Sequence, residues 1–151
     1  PAVGRISLDN DFVYFGEEFL VMRIPKTGGA PQTVVSTNGR VSALHVDPGI
    51  GWVFWGEKEG GVRGMRAAFG SPVLTFQPPA SGREVNSVGW DGTRVLWADC
   101  LQPGNTNCRI RQRQLGITRS LVVGTVGIRH LQWDPASLYW GDASYLRRYL
   151  R

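Results

Sequence analysis

The sequence is poor in the residues that most often carry catalysis. Its 151 residues include only two histidines, two cysteines and two methionines. No Gly-x-Ser-x-Gly motif occurs, and neither histidine has a matching nucleophile signature. We therefore predict a protein that is not an enzyme and needs no cofactor.

Long hydrophobic segments are also absent. No stretch approaches the roughly 20 apolar residues of a membrane-spanning helix, and no signal peptide follows Pro1. Because the chain begins with Pro1 rather than Met, we expect it to be processed or trimmed. Its hydrophobic content of 42% is ordinary, and its length suits one domain with a real core.

Lysine is scarce, because fifteen arginines accompany only Lys26 and Lys58. The net charge of +5 is compatible with contact with an acidic surface such as an anionic polysaccharide, a lipid headgroup or nucleic acid. The simpler interpretation is that arginine replaces lysine on an ordinary solvated surface. No established nucleic-acid motif is present, and we do not expect nucleic acid as a partner.

The two cysteines lie close together in the segment DCLQPGNTNC. A Pro-Gly-Asn turn between Cys100 and Cys108 favours a disulfide bond over two independent buried thiols. A disulfide would place the protein in an oxidising compartment.

Four segments of the sequence repeat one pattern. Their central aromatic residues are separated by 40, 42 and 43 residues. An apolar stretch ending in Asp precedes each aromatic, and an alternating stretch follows each one. The aromatics are Phe15, Trp55, Trp97 and Trp140, and the preceding aspartates are Asp9, Asp47, Asp91 and Asp134.

Each repeat contains up to four short β-like runs separated by turn signals. Units of this length with four strands are typical of β-propeller blades. We predict an all-β propeller with repeats at about 1–38, 39–81, 82–126 and 127–151, the last of which lacks its outer strand. The central aromatics should fill the space between sheets, and the aspartates should bind their own turn backbone.

Two segments carry a family resemblance. The units at 134–142 (DPASLYWGD) and 46–57 resemble the YWTD repeats of low-density-lipoprotein-receptor-type propellers. The segment VMRIPKTGGAPQTVV at 21–35 is similar to VMRVPKTGG-type repeats of secreted bacterial propellers. The resemblance implies a secreted, periplasmic or cell-surface location, and it specifies the fold better than the function.

The number of repeats departs from the family pattern. YWTD-type propellers close with six blades, whereas this sequence contains four repeats. The chain could form a closed four-bladed ring, pair with a second copy, or be one portion of a larger propeller. We expect a protein partner, a second copy or the N-terminal PAVGR segment to cover the open edge of the last repeat.

Three groups of residues are candidate ligand-binding sites. His45 and His130 lie on the predicted inner strands, where they either face the channel or make core hydrogen bonds. Alternating arginines share one face of a strand, either to bind anions or to protect an edge. Three tryptophans outside the motif either stack on sugar rings or pack between blades. The arginines are Arg109, Arg111 and Arg113, and the tryptophans are Trp52, Trp90 and Trp133.

We therefore expect an extracytoplasmic interaction or assembly module that binds a protein or anionic partner. A carbohydrate-binding propeller is the first alternative. The second is a portion of a calcium-dependent lactonase-type propeller, although the repeated positions of the carboxylates favour structural roles over a calcium site.

Overall fold

A computed structural model describes residues 5–142 and 144–150. These residues form fifteen β-strands and no helix. The strands make four antiparallel sheets, and each sheet is a meander whose neighbouring strands are consecutive in the chain. The prediction of an all-β propeller fold with four repeats is confirmed.

The sheets are called blades 1 to 4 in chain order. Blade 1 contains β1 (Ile6–Leu8), β2 (Phe12–Glu17), β3 (Leu20–Pro25) and β4 (Gln32–Ser36). Blade 2 contains β5 (Val41–Asp47), β6 (Trp52–Glu57), β7 (Val62–Arg66) and β8 (Leu74–Gln77). Blade 3 contains β9 (Arg83–Trp90), β10 (Val95–Leu101), β11 (Thr106–Gln114) and β12 (Ile117–Thr125). Blade 4 contains β13 (His130–Trp133), β14 (Ser137–Gly141) and β15 (Leu146–Leu150).

The fourth blade ends with its third strand among the described residues, as the sequence predicts. The exact boundaries of the four repeats stay a prediction. Residues 1–4 lie outside the described residues, as does most of the PAVGR segment that was expected to cover the last edge. Arg5 is described, and its guanidinium group reaches the carbonyl oxygens of Ser42 and Asn86, each at 3.4 Å.

An aspartate shapes the turn between the first two strands of every blade. The carboxylate of Asp9 accepts hydrogen bonds from the backbone N–H groups of Asp11 (2.8 Å) and Phe12 (2.7 Å). The other three aspartates bind the equivalent backbone groups of their own turns. The predicted structural role of these repeated carboxylates is confirmed, because each one fixes a hairpin.

Hydrophobic side chains fill the spaces between successive blades. One core lies between blades 1 and 2 and contains Trp55. A second lies between blades 2 and 3 and contains Trp97. A third lies between blades 3 and 4 and contains Trp140. These tryptophans are buried, so the repeated aromatic joins each blade to the one before it.

A serine also connects each pair of neighbouring inner strands. The hydroxyl of Ser7 accepts a hydrogen bond from the N–H of Val46 at 2.8 Å. Ser42 donates to the carbonyl oxygen of Val85 at 2.6 Å, and Ser87 accepts from the N–H of Leu131 at 3.2 Å. These bonds hold the blades in a fixed order around the channel.

The disulfide between Cys100 and Cys108 is present, as the sequence predicts. It joins β10 to β11 within blade 3, and both cysteines belong to the core between blades 3 and 4. The crosslink therefore fixes a hairpin directly beneath one inter-blade interface.

Candidate functional site

The four inner strands line a polar depression of about 570 Å³. Its lining includes Arg5 from blade 1, His45 from blade 2, Asn86 from blade 3 and His130 from blade 4. Asn86 donates hydrogen bonds from its side-chain amide to the carbonyl oxygen of Ile128 (2.8 Å) and the side chain of Asn105 (3.2 Å). We call this depression, which the inner strands of all four blades line, the channel mouth.

The two histidines occupy different environments in this depression. His45 is half-buried, and its ring lies 5.6 Å from that of Trp133 and 6.4 Å from that of Phe54. Its Nε2 atom is buried and has no hydrogen-bond partner among the described residues. Burial lowers the pKa of His45, and the nearby Asp47 only partly opposes this effect. His45 therefore favours its neutral form. His130 is exposed.

The three candidate tryptophans do not form one set. The ring of Trp133 covers Gly89, where a Cβ atom would overlap the indole, and it reaches His45 across the channel mouth. Trp52 and Trp90 instead lie at the interface of blades 2 and 3, and each stacks against Phe54, with ring centroids 5.7 and 6.0 Å away.

Trp52 and Trp90 line a groove of about 440 Å³. We call it the aromatic groove and define it by the residues Ile50, Trp52, Phe54, Arg66, Leu74, Phe76 and Trp90. Six of these seven residues are apolar. The sequence predicted the two tryptophans as binding residues but not the other five residues. Gly64 is the sequence feature that could have indicated them, because a glycine there lets the rings of Phe54 and Phe76 pack closely.

The candidate arginines lie against other side chains of the chain. Arg109 binds Asp99 with an Nη2–Oδ1 distance of 2.8 Å. Arg111 donates to the side chain of Gln77 at 2.7 Å and lies 5.5 Å above the ring of Trp97. Arg113 donates to the carbonyl oxygen of Phe76. All three guanidinium groups therefore have partners at or near the interface of blades 2 and 3.

Blade 1 exposes the face that the other three blades bury. Its motif aromatic, Phe15, is only half-buried, whereas the three motif tryptophans are buried. Ile6 pairs with Phe15 on the inner strand and is 62% exposed. Leu44 pairs with Trp55 in the same way and is 9% exposed. Blade 1 thus presents an interface surface that no blade of the described residues covers.

Blade 4 exposes the opposite face. Leu146 pairs with Gly141 and is 80% exposed. The matching residues of blades 1, 2 and 3 are fully buried, and they are Val21, Val62 and Ile110. Blade 4 therefore presents an interface surface that is open within the part of the chain that the structure describes.

The motif glycines show the same difference. A Cβ atom on Gly16 would lie 2.5 Å from the side chain of Val41 in blade 2, and one on Gly56 would lie 2.3 Å from Val85 in blade 3. A Cβ atom on Gly141 would meet nothing described within 4 Å. The motif glycine therefore lies close to the next blade at two interfaces, where only a small residue fits. In blade 4 the same position contacts no following blade among the described residues.

Among the described residues, blades 1 and 4 do not close on each other. The buried hydrophobic cores of the described residues join blades 1 to 2, 2 to 3 and 3 to 4. The inner strands β1 and β13 do not pack against each other in the way that β5 packs on β9, as far as the described residues show. The four blades therefore form an open arc.

Neither a metal cluster nor a membrane helix is found in the described part of the chain. No group of three or more His, Cys, Asp or Glu side chains is placed to hold a metal ion within residues 5–142 and 144–150. The same residues include no helix long and apolar enough to cross a membrane.

Similar folds occur among solved structures, of which 210 chains match. A chain from the crystal structure of a nidogen/laminin complex superposes with a TM-score of 0.78 at 13% identity, over 96% of this chain and 58% of that one. Regucalcin, a calcium-binding protein from Agrobacterium tumefaciens, gives a TM-score of 0.77 at 12% identity, over 99% and 54%. At these identities the likeness shows the fold alone. No protein-family model and no curated protein matches the sequence.

Proposed function

We propose that this protein is an extracytoplasmic β-propeller module for interaction and assembly, and that its terminal blades bind further blades of the same repeat type. The observation that carries this proposal is the matched difference in burial. Positions that are buried at three interfaces are open on blade 1 and on blade 4. Both terminal surfaces are apolar, so leaving them in water is unfavourable.

The repeat supports one chemistry for the partner. The exposed face of blade 1 matches faces that pack against a preceding blade, and the exposed face of blade 4 matches faces that pack against a following blade. A β-sheet of this repeat type therefore fits each face. The chain spans slightly more than half the length of the two solved propellers, and the YWTD-type resemblance implies six blades. Two further blades would complete such a ring.

The extracytoplasmic location rests on the disulfide. Disulfide bonds persist in oxidising compartments and are rare in the cytosol. The nidogen/laminin complex supports a protein as the partner of a propeller with this fold. The resemblance to YWTD-type repeats and to repeats of secreted bacterial propellers supports both the extracytoplasmic location and the role in interaction.

A six-repeat variant tests the proposal. A second copy of residues 40–126 is inserted between residues 126 and 127, which adds two complete blades in the native repeat register. If the added blades fill the gap, the variant should melt at a higher temperature than the four-repeat chain because two open apolar faces become buried. Differential scanning calorimetry measures this change.

The substitution Leu146→Asp provides the control. In the four-repeat chain it should leave the melting temperature nearly unchanged, because Leu146 is exposed. In the six-repeat variant it should remove most of the gain, because the aspartate would lie inside the closing interface. Equal effects in both chains, or no gain from the insertion, would show that the terminal faces are not interfaces for further blades.

A further inference from the structure

The aromatic groove is open because blade 2 differs from blades 1 and 4 at two matched positions. Blade 1 has Tyr14 on β2 and Arg23 opposite it on β3. Blade 4 has the same pair, Tyr139 and Arg148. In blade 2 these positions hold Phe54 and Gly64, so both polar groups are missing from one end of the interface with blade 3.

The equivalent space between blades 1 and 2 is occupied. The guanidinium of Arg23 lies 4.2 Å from the ring centre of Phe12 and 4.5 Å from that of Phe69. It also donates a hydrogen bond to the carbonyl oxygen of Ala67 at 3.3 Å. An arginine side chain thus fills the slot between two rings, whereas in blade 2 the matching position of β7 is Gly64, and the β7 residue that lines the groove is the exposed Arg66.

Close packing excludes a side chain at position 64. A Cβ atom on Gly64 would lie 2.8 Å from the ring of Phe54 and 3.1 Å from that of Phe76. The glycine therefore lets the two phenylalanine rings come together and form the floor of the aromatic groove. Trp52 and Trp90 stand on either side of this floor and are only partly buried.

The lining of the groove determines which ligand fits it. Apolar side chains make up all of it except Arg66, which is exposed and pairs with Trp52 across β6 and β7. The hydroxyl groups of a sugar would find few hydrogen-bond partners here, which is unfavourable for polar groups leaving water. A large apolar side chain suits the rings, and a carboxylate beside it suits Arg66.

We propose that the aromatic groove binds an extended acidic segment of a partner protein, with one large apolar side chain on the rings and a neighbouring carboxylate at Arg66. Aromatic-lined grooves are a recurrent way of binding extended peptides. The net charge of +5 favours the approach of an acidic segment. The groove lies at an interior interface, so this proposal does not depend on how the ring is completed.

The test uses the full chain and defined peptides. Acetylated and amidated pentapeptides Asp-Asp-X-Asp-Asp, with X as Phe, Leu or Trp, are titrated while the indole N–H signals of the six tryptophans are followed by NMR. Substitution of Trp52 and Trp90 by Phe assigns their two signals. We expect saturable shifts of these two signals with at least one of the three peptides, and at least about tenfold weaker binding when X is Ser.

Two groove variants and two matched controls locate the binding. Arg66→Glu and Leu74→Asp should each weaken binding by about tenfold, since both residues are exposed at the groove. Arg119→Glu and Leu115→Asp make the same changes at exposed positions outside the groove and should leave binding unchanged. Two-dimensional NMR spectra of each variant check that it is folded.

The proposal would be overturned if none of the three acidic peptides shifted the Trp52 and Trp90 signals. It would also be overturned if Lys-Lys-Phe-Lys-Lys bound as well as its acidic counterpart. Alternatively, maltohexaose or polygalacturonate shifts these signals while the peptides do not, which would assign the groove to carbohydrate.

Discussion

Truncation of Trp97 to alanine is expected to lower the free energy of unfolding by about 3–5 kcal/mol. Trp97 is completely buried in the core between blades 2 and 3. Its removal leaves a cavity that the surrounding β-sheets cannot close by small shifts. Urea denaturation followed by far-UV circular dichroism measures the loss.

The matched substitution Phe15→Ala is the control for this prediction. Phe15 occupies the same repeat position but lies on the open face of blade 1, where it is only half-buried. Its truncation should cost about 1 kcal/mol, a typical value for a point substitution. A loss from Phe15→Ala as large as that from Trp97→Ala would mean that another blade covers Phe15.

The second large effect concerns a buried carboxylate. Asp99 in blade 3 binds the guanidinium groups of Arg83 and Arg109, and both Asp99 and Arg83 are buried. Replacement of Asp99 by alanine leaves the charge of Arg83 buried without its partner. We expect a loss of about 3–5 kcal/mol in the free energy of unfolding, measured by the same denaturation experiment.

Two controls test whether the loss comes from the buried charge of Arg83 or from the repeat position of Asp99. Asp142 is the matching acidic residue of blade 4, and its hydrogen bond with the exposed Arg147 is the main reason that its pKa falls to about 2. Asp142→Ala should lower the free energy of unfolding much less than Asp99→Ala, because the ion pair with the exposed Arg147 contributes little and the hydrogen bonds that Asp142 accepts from the N–H groups of Ser144 and Tyr145 lie at an exposed turn. The double substitution Asp99→Leu with Arg83→Met should recover much of the loss, since it removes both buried charges. Failure of that rescue would mean that Asp99 acts through something other than Arg83.

The repeat made most of the fold predictable from the sequence. Residues such as Asp9 and Asp134 act on their own hairpins, so their role can be read from local sequence. Trp97 and Trp140 recur with nearly constant spacing, which indicates a shared structural position. The disulfide between Cys100 and Cys108 follows from a short turn between the two cysteines.

The surfaces were harder to predict because they depend on contacts between blades. The alternation of Arg109, Arg111 and Arg113 shows that they share a face, but not that blade 2 lies near that face. The groove depends on a comparison of Gly64 with Arg23 in the matching strand, which needs the strand register. The exposure of Leu146 follows only from where the blades end, and no local pattern encodes it.

Hydroxyl-radical footprinting tests the open arc most directly. The four-repeat chain is oxidised at a dilution where light scattering gives the mass of a single chain, and mass spectrometry yields a protection factor for each residue. The open arc predicts low protection at Ile6 and Leu146, and high protection at the matching residues Leu44 and Ile110. Equal protection within each pair would mean that the terminal faces are covered in the single chain, and would contradict the open arc.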